Sequence, residues 1–144
     1  MKIIAFDLGA HLAWASRVQV SHREFPGLRT TRLCSILEFL TQFNWKDFTA
    51  VVYETPLTRG QGATRSLWGI AGILEAVTTR AGLPILDVAV PTIKKFATGN
   101  GFASKLEMLK AARKRFGYVG SNEHEADAVC LWNYAEAHLE VASW

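Results

Sequence analysis

Cysteine is scarce: Cys34 and Cys130 are the only two in 144 residues. Neither has a partner at metal-ligand spacing, which argues against a disulfide-stapled framework and a thiolate zinc site. Each falls inside a helical pattern, and two buried, reduced thiols of an intracellular protein are expected. No apolar run approaches the roughly 20 residues that a membrane-spanning helix needs. The first strand follows Met1 without a basic segment and cleavage site, so no signal peptide is expected. Internal repeats and low-complexity tracts are lacking as well. Charge of one sign is in small excess, +3 at pH 7 with a pI near 9.0, which by itself points only weakly to a polyanionic partner.

What is present suits one compact domain over residues 1–144, with 49% hydrophobic and 20% charged residues, close to the globular average. The positive charge is unevenly spread. Lys94, Lys95, Lys105, Lys110, Arg113, Lys114 and Arg115 crowd the stretch between residues 94 and 115, so one surface is expected to be strongly basic.

The most informative stretch is Lys2-Ile3-Ile4-Ala5-Phe6-Asp7-Leu8-Gly9, an apolar run closed by a carboxylate and a glycine. It predicts a buried central strand over residues 2–8. A carboxylate at such a strand end must be paired, hydrogen-bonded or holding a cation. Leu12 to Val20 predicts a second strand, antiparallel to the first, and His22 to Phe25 a short third. Apolar spacing from Thr31 to Phe43 predicts a helix. Phe48 to Glu54 then repeats the apolar-run-to-carboxylate pattern, and the intervening helix predicts that this strand lies parallel to and beside the first. Further helices are expected over residues 63–80, from Pro91 to Ala97, from Ser104 to Phe116 and from Asn122 onward, with a fifth strand over Leu83 to Val88. The fold class is therefore α/β, a five-stranded mixed sheet of order 3-2-1-4-5 flanked by helices. The helix over 63–80 is apolar nearly all round, with Gly69 and Gly72 on adjoining turns; a second copy of the chain or the sheet itself could cover it.

Asp7 and Glu54 thus end adjacent parallel strands, where their charges would repel unless a divalent cation lay between them. The last helix opens Asn122-Glu123-His124-Glu125-Ala126-Asp127-Ala128, which puts His124 and Asp127 on one face. Glu125 stands where a capping-box carboxylate would stand, and Glu123 competes with His124 as a ligand. A metal cluster beside a basic helix points to phosphodiester hydrolysis of a nucleic acid, since two cations can activate a water and stabilise the leaving oxygen.

With these pieces in place the chain resembles the RuvC family of Holliday junction resolvases, of the ribonuclease H-like fold. The resemblance rests on Asp7-Leu8-Gly9, on Glu54, on the segment Ile93-Lys94-Lys95 through Thr98-Gly99-Asn100-Gly101 to Ala103-Ser104-Lys105, and on His124-Glu125-Ala126-Asp127-Ala128. It implies Asp7, Glu54, His124 and Asp127 as ligands of two Mg²⁺ or Mn²⁺ ions and Lys105 as an assistant at the scissile phosphate. It also implies a homodimer that cuts opposed strands of branched DNA in the cytoplasm of a bacterium or phage-infected host, leaving 5′-phosphates. The family's compact bacteriophage members are the most similar in length. Arg59, Arg65, Lys94, Lys95, Lys105, Lys110, Arg113 and Lys114 are expected on the DNA backbone. Two departures stand out: Leu57 occupies the place of an aromatic wedge, and Leu8 that of a proline.

Rival expectations are a ribonuclease H-like enzyme cutting RNA or an RNA-DNA hybrid, and a non-catalytic protein that only binds branched DNA. A fragment of a sugar-kinase or actin-like ATPase shares the Asp-Leu-Gly turn, but that fold needs a second phosphate-binding half.

Overall fold

The computed structural model describes residues 1–57 and 60–139. Five strands, β1 (Ile3–Asp7), β2 (His11–Ala15), β3 (Val20–Glu24), β4 (Ala50–Glu54) and β5 (Ile85–Val88), form a sheet of order β3-β2-β1-β4-β5. β1 pairs antiparallel with β2 and parallel with β4, and β5 extends the parallel half. The sheet order is the one expected from the sequence. Five helices flank it: α1 (Arg29–Thr41), α2 (Gln61–Arg80), α3 (Val90–Thr98), α4 (Lys105–Phe116) and α5 (Glu123–His138). Among the described residues no helix is long and apolar enough to cross a membrane.

The run expected as one strand to Val20 breaks after Ala15. Ser16 donates its N–H to the Gln19 carbonyl at 2.8 Å, and its hydroxyl oxygen accepts from Val18 N–H at 3.4 Å. Such a local serine bond competes with strand pairing. The chain turns there, and β3 starts earlier than expected, with Val18 90% exposed.

The two faces of the sheet differ in texture because strand residues alternate sides. Ile4, Phe6, Leu12, Trp14, Val51 and Tyr53 point to one side and pack with Ile36 and Leu40 of α1 and with Ile70 and Leu74 of α2. Aromatic rings fill this layer: Phe43 meets Phe6 and Trp14 edge-on at 5.9 and 5.8 Å between centroids. The opposite face presents Ile3, Ala5, Ala13, Ala15, Ala50 and Val52 to Ala126, Ala128, Val129 and Ala135 of α5. Small residues on both partners let α5 lie close against β1, β2 and β4, while Ile93 of α3 and Met108 of α4 complete the layer.

α2 lies against α1 and the sheet, and Gly69 is the point of close approach: a Cβ there would sit 3.2 Å from Leu33. Nothing stands within 4 Å of the place a Cβ would take at Gly72, and Trp68 beside it is 46% exposed. Internal packing thus uses one of the two glycines and leaves the other on the open side.

The expectation of two buried thiols is half wrong. Cys130 is buried in the alanine layer, but Cys34 is exposed, on the outward arc of α1 between Leu33 and Ser35. Burial, with the Asp127 charge behind it, pushes the Cys130 thiol up to about 12. In the native protein at pH 8 one thiol should therefore react rapidly with an aromatic disulfide reagent and the second only after denaturation; two equally fast thiols would contradict this packing. Ala128→Leu should cost about 1–3 kcal/mol in a urea titration, the usual penalty for overpacking a tight core.

Candidate active site

The alternation that puts Ala5 and Val52 on the α5 side also puts Asp7 and Glu54 there. Phe6 lies opposite Tyr53 in the β1–β4 register, so the next residue on each strand carries a carboxylate. The two carboxylates lie within hydrogen-bond reach of each other. From α5, His124 Nδ1 approaches Asp7 Oδ2 at 3.0 Å. Asp127 faces Lys105 of α4, with Nζ 3.8 Å from Oδ2, and Glu123 lies 4.0 Å from the same ammonium.

Local chemistry fixes the start of α5. Asn122 caps it, its Oδ1 accepting from the N–H groups of His124 and Glu125 at 3.0 Å each. The Glu125 carboxylate does not return to the cap, as a capping box would require. It accepts instead from the Tyr118 hydroxyl at 2.5 Å and meets His22 Nδ1 at 2.8 Å. Glu125 is structural as expected, but through tertiary rather than helical partners. Tyr118 also accepts from Asn122 N–H at 3.1 Å, and the phenol passes over Gly120 so closely that a Cβ there would overlap its oxygen. Burial and the Glu125 bond push the Tyr118 hydroxyl up to about 12, which keeps it a donor. α4 starts with a complete capping box: Ser104 and Glu107 exchange hydrogen bonds at 3.1 and 3.2 Å. Lys105 is its first helical residue.

Electrostatically the site is in conflict. Burial, and then the Asp127 charge, raises the proton affinity of Asp7 well above the ordinary carboxylate range. Burial, followed by Asp7 itself, does the same to Glu54, and burial raises Asp127 despite Lys105 beside it. The three carboxylates share a desolvated pocket, with the Lys105 ammonium nearest them on its rim. Burial and Lys105 meanwhile lower His124, leaving it the neutral imidazole that can ligate a metal.

That donor set suits a hard divalent cation. Oxygen and nitrogen ligands at 2.0–2.1 Å in octahedral geometry lie about 3.0 Å apart along a cis edge, which matches the Asp7–His124 spacing of 3.0 Å. Among the described residues no three His, Cys, Asp or Glu side chains are drawn together tightly enough to enclose an ion unaided. Waters and phosphate oxygens normally complete the shell of such an ion.

Beside the carboxylates opens a cleft of about 250 Å³ whose walls include Leu8, Leu57, Lys94, Lys105, Met108 and Asp127. Among the described residues expected on the DNA backbone, Lys94 and Lys105 line it, together with Leu57. Lys110 and Lys114 border a separate depression with Thr98 and Asn100, more than a quarter turn of α4 away from Lys105 at about 100° per residue. Arg113 donates to the Gly120 carbonyl at 2.9 Å. Lys95 is exposed on α3, and Arg65 is exposed on α2, away from the cleft-lining Ala63 and Leu67. Arg59 lies outside the described residues. His11, His22 and Tyr118 escape a sequence reading because their partners are distant in the chain; the only local signal is Gly120 two residues after Tyr118.

No protein-family model matches the chain. Its sequence is nonetheless similar to crossover junction endodeoxyribonuclease RuvC of several bacteria. The protein of that name from Anaeromyxobacter sp. strain K is 40% identical over 68 residues, 47% of this chain and 35% of the relative. That of Rhizobium johnstonii is 29% identical over 106 residues, 70% of this chain and 63% of the relative. The matched part spans between about a third and two thirds of these relatives' length. A Thermus thermophilus RuvC structure superposes with a TM-score of 0.75 at 18% identity, over 95% of this chain and 96% of its own. T. thermophilus RuvC in complex with a Holliday junction substrate gives 0.71, also at 18% identity, over 91% and 90%. The fold is thus that of RuvC, a ribonuclease H-like arrangement. The resemblance drawn from the motifs has relatives of that name behind it.

A direct test of the conflict is thermal. Carboxylates whose folded proton affinity is raised stabilise the fold at low pH and lose that stabilisation as pH rises through their folded values. At pH 7 in a chelator, Asp7→Asn should therefore melt above the unsubstituted protein. Mn²⁺ should raise the melting point of the unsubstituted protein but hardly that of Asp7→Asn. A lower melting point for the variant in chelator would show that Asp7 stabilises the metal-free fold.

Proposed function

We propose that this protein is a metal-dependent endodeoxyribonuclease that cuts four-way junctions and related branched DNA by phosphodiester hydrolysis. One observation carries the reading: Asp7 of β1, Glu54 of β4, and His124 and Asp127 of α5, three separate regions of the chain, converge beside a cleft lined by Lys94 and Lys105. The sequence relatives named crossover junction endodeoxyribonuclease and the similarity to a RuvC bound to a Holliday junction support it.

In this reading Asp7, Glu54 and Asp127 supply oxygen donors and His124 a nitrogen donor for two Mg²⁺ or Mn²⁺ ions. When bound, the ions would lower the pKa of a water and screen the charge of the phosphate under attack. The remaining work falls to the chain. Burial keeps Asp7 out of bulk water and leaves Glu54 half-buried at the cleft wall, which strengthens the charge interactions there. Lys105, 61% exposed at its side chain, can leave Asp127 for a phosphate oxygen as DNA enters, and Lys94 meets the neighbouring backbone. Contacts of this kind position the nucleic acid without reading its sequence. Leu57, 39% exposed at the cleft wall, is the residue placed to enter an opened branch point; it can wedge between bases but stacks less well than an aromatic ring.

A four-way junction needs two cuts, and we assign them to a homodimer whose contact includes the open side of α2 around Gly72 and Trp68. Exposed apolar surface beside a side-chain-free patch favours close helix approach.

Purified protein incubated with a synthetic four-way junction, a flap, a linear duplex and an RNA-DNA hybrid in Mg²⁺ or Mn²⁺ should nick the junction symmetrically and leave the linear duplex intact. Asp7→Asn should lower that cleavage by about 10³-fold or more, as loss of an electrostatic anchor at the reacting phosphate does, while gel retardation of the junction persists. Preferential cutting of the hybrid would reassign the substrate to RNA. Retardation without nicking would make the protein a binder only.

A further inference from the structure

His11, the first residue of β2, belongs to none of the roles assigned above, yet its ring lies flat on that of His124. The centroids are 5.0 Å apart and the planes differ by 3°. We propose that His11 is a positioning residue that fixes the plane of the His124 imidazole and thereby aims its nitrogens at the metal site.

The need for such a device follows from the contacts of His124. Among the described residues the one short polar contact of its ring joins Nδ1 to Asp7 Oδ2 at 3.0 Å; Nε2 is 4.0 Å from Glu123 Oε1, too far for a hydrogen bond. A single hydrogen bond fixes one atom of a ring and leaves the ring free to swing about that bond, and the second side-chain torsion of histidine is intrinsically broad. A parallel neighbour removes that freedom by defining the plane. One anchored atom and one defined plane determine the orientation of the imidazole.

His11 is itself held well enough to serve. It stands on a paired strand opposite Glu24, whose backbone fixes its Cα; Glu24 Oε1 lies 3.8 Å from its Nε2, near but beyond hydrogen-bond distance. The alternation of β2 puts it on the same face as Ala13 and Ala15, the face that α5 covers. One strand further out, His22 grips Glu125, the neighbour of His124, at 2.8 Å. The hairpin thus meets the first turn of α5 at the Glu125 carboxylate through His22 and at the His124 ring through His11. Among the described residues His11 makes no hydrogen bond or ion pair to Asp7, Glu54 or Asp127, so its influence passes through His124. Residues that orient a ligand in this way typically alter metal affinity or activity by about 10–100-fold when removed.

This inference rests on the metal-dependent nuclease reading, and the test separates the two. His11→Ala and His11→Phe are compared with the unsubstituted chain for Mn²⁺ affinity by electron paramagnetic resonance, for single-turnover junction cleavage across a Mn²⁺ titration, and for junction retardation. Circular dichroism confirms the fold of each. His11→Ala should bind Mn²⁺ about tenfold more weakly and cleave slowly at limiting Mn²⁺, recovering as Mn²⁺ saturates, with retardation unchanged. His11→Phe, which keeps a flat ring for stacking, should restore affinity to within about twofold of the unsubstituted chain. Equal affinity in His11→Ala and the unsubstituted chain would overturn the proposal. So would a folded His11→Phe as weak as His11→Ala. If the unsubstituted chain binds Mn²⁺ but cuts no branched DNA, the nuclease reading falls and the Mn²⁺ affinities still judge the stack. If it binds no Mn²⁺, both fall.

Discussion

The site depends on how closely α5 can lie against the sheet. Ala5, Ala13, Ala15 and Ala50 on the strands face Ala126, Ala128 and Ala135 on the helix, all at most 1% exposed. Alanine-on-alanine packing removes the side-chain layer that usually separates a helix from a sheet. Asp127 is flanked by two of these alanines along the helix, and Asp7 follows Ala5 on the same strand face. The packing that closes the core therefore sets the carboxylates against one another. Core and site are one construction in this half of the molecule.

That construction carries an internal opposition. Dispersion and apolar burial draw α5 in, while the desolvated carboxylates resist. A fold selected for stability alone would have replaced at least one of them. Their retention at the meeting point of β1, β4 and α5 is the kind of local inconsistency expected at a functional site. Among the described residues the aromatic layer on the other side of the sheet buries no carboxylate cluster; its one unpartnered buried polar atom is Trp14 Nε1. Phe6, Phe43 and Trp45 pack there with tilted or edge-on rings, and Trp45 donates its indole N–H to the Leu40 carbonyl at 2.8 Å.

Much of this was legible in the residues because it follows from periodicity. The two apolar runs ending in Asp7 and Glu54, with a helix between them, define adjacent parallel strands, and Asn122 declares its helix by cap chemistry. What was not legible depends on contacts between distant segments. Glu125 has the spacing of a capping box, yet Tyr118 and His22 offer it better partners, and no rule of local spacing foresees that. Cys34 sits in an apolar-periodic helix but on its outward arc. The basic stretch from Lys94 to Lys114 counts as one cluster in sequence, whereas helical rotation turns Lys110 and Lys114 away from Lys105. That separation could have been read from an angle of about 100° per residue; a tally of charges conceals it. Ser16 ending β2 early is a case of turn chemistry outweighing an apolar run.

The outermost strands have a consequence for assembly. β3 bears His22, Arg23 and Glu24, with four of its five residues exposed, and β5 is only four residues long with Asp87 in it. A short or charge-bearing margin of this kind discourages another chain from adding a strand to the sheet. Any second copy is thereby steered away from continuing the β-structure and toward a helical surface. The same margins guard against the open-ended stacking that an unprotected sheet invites.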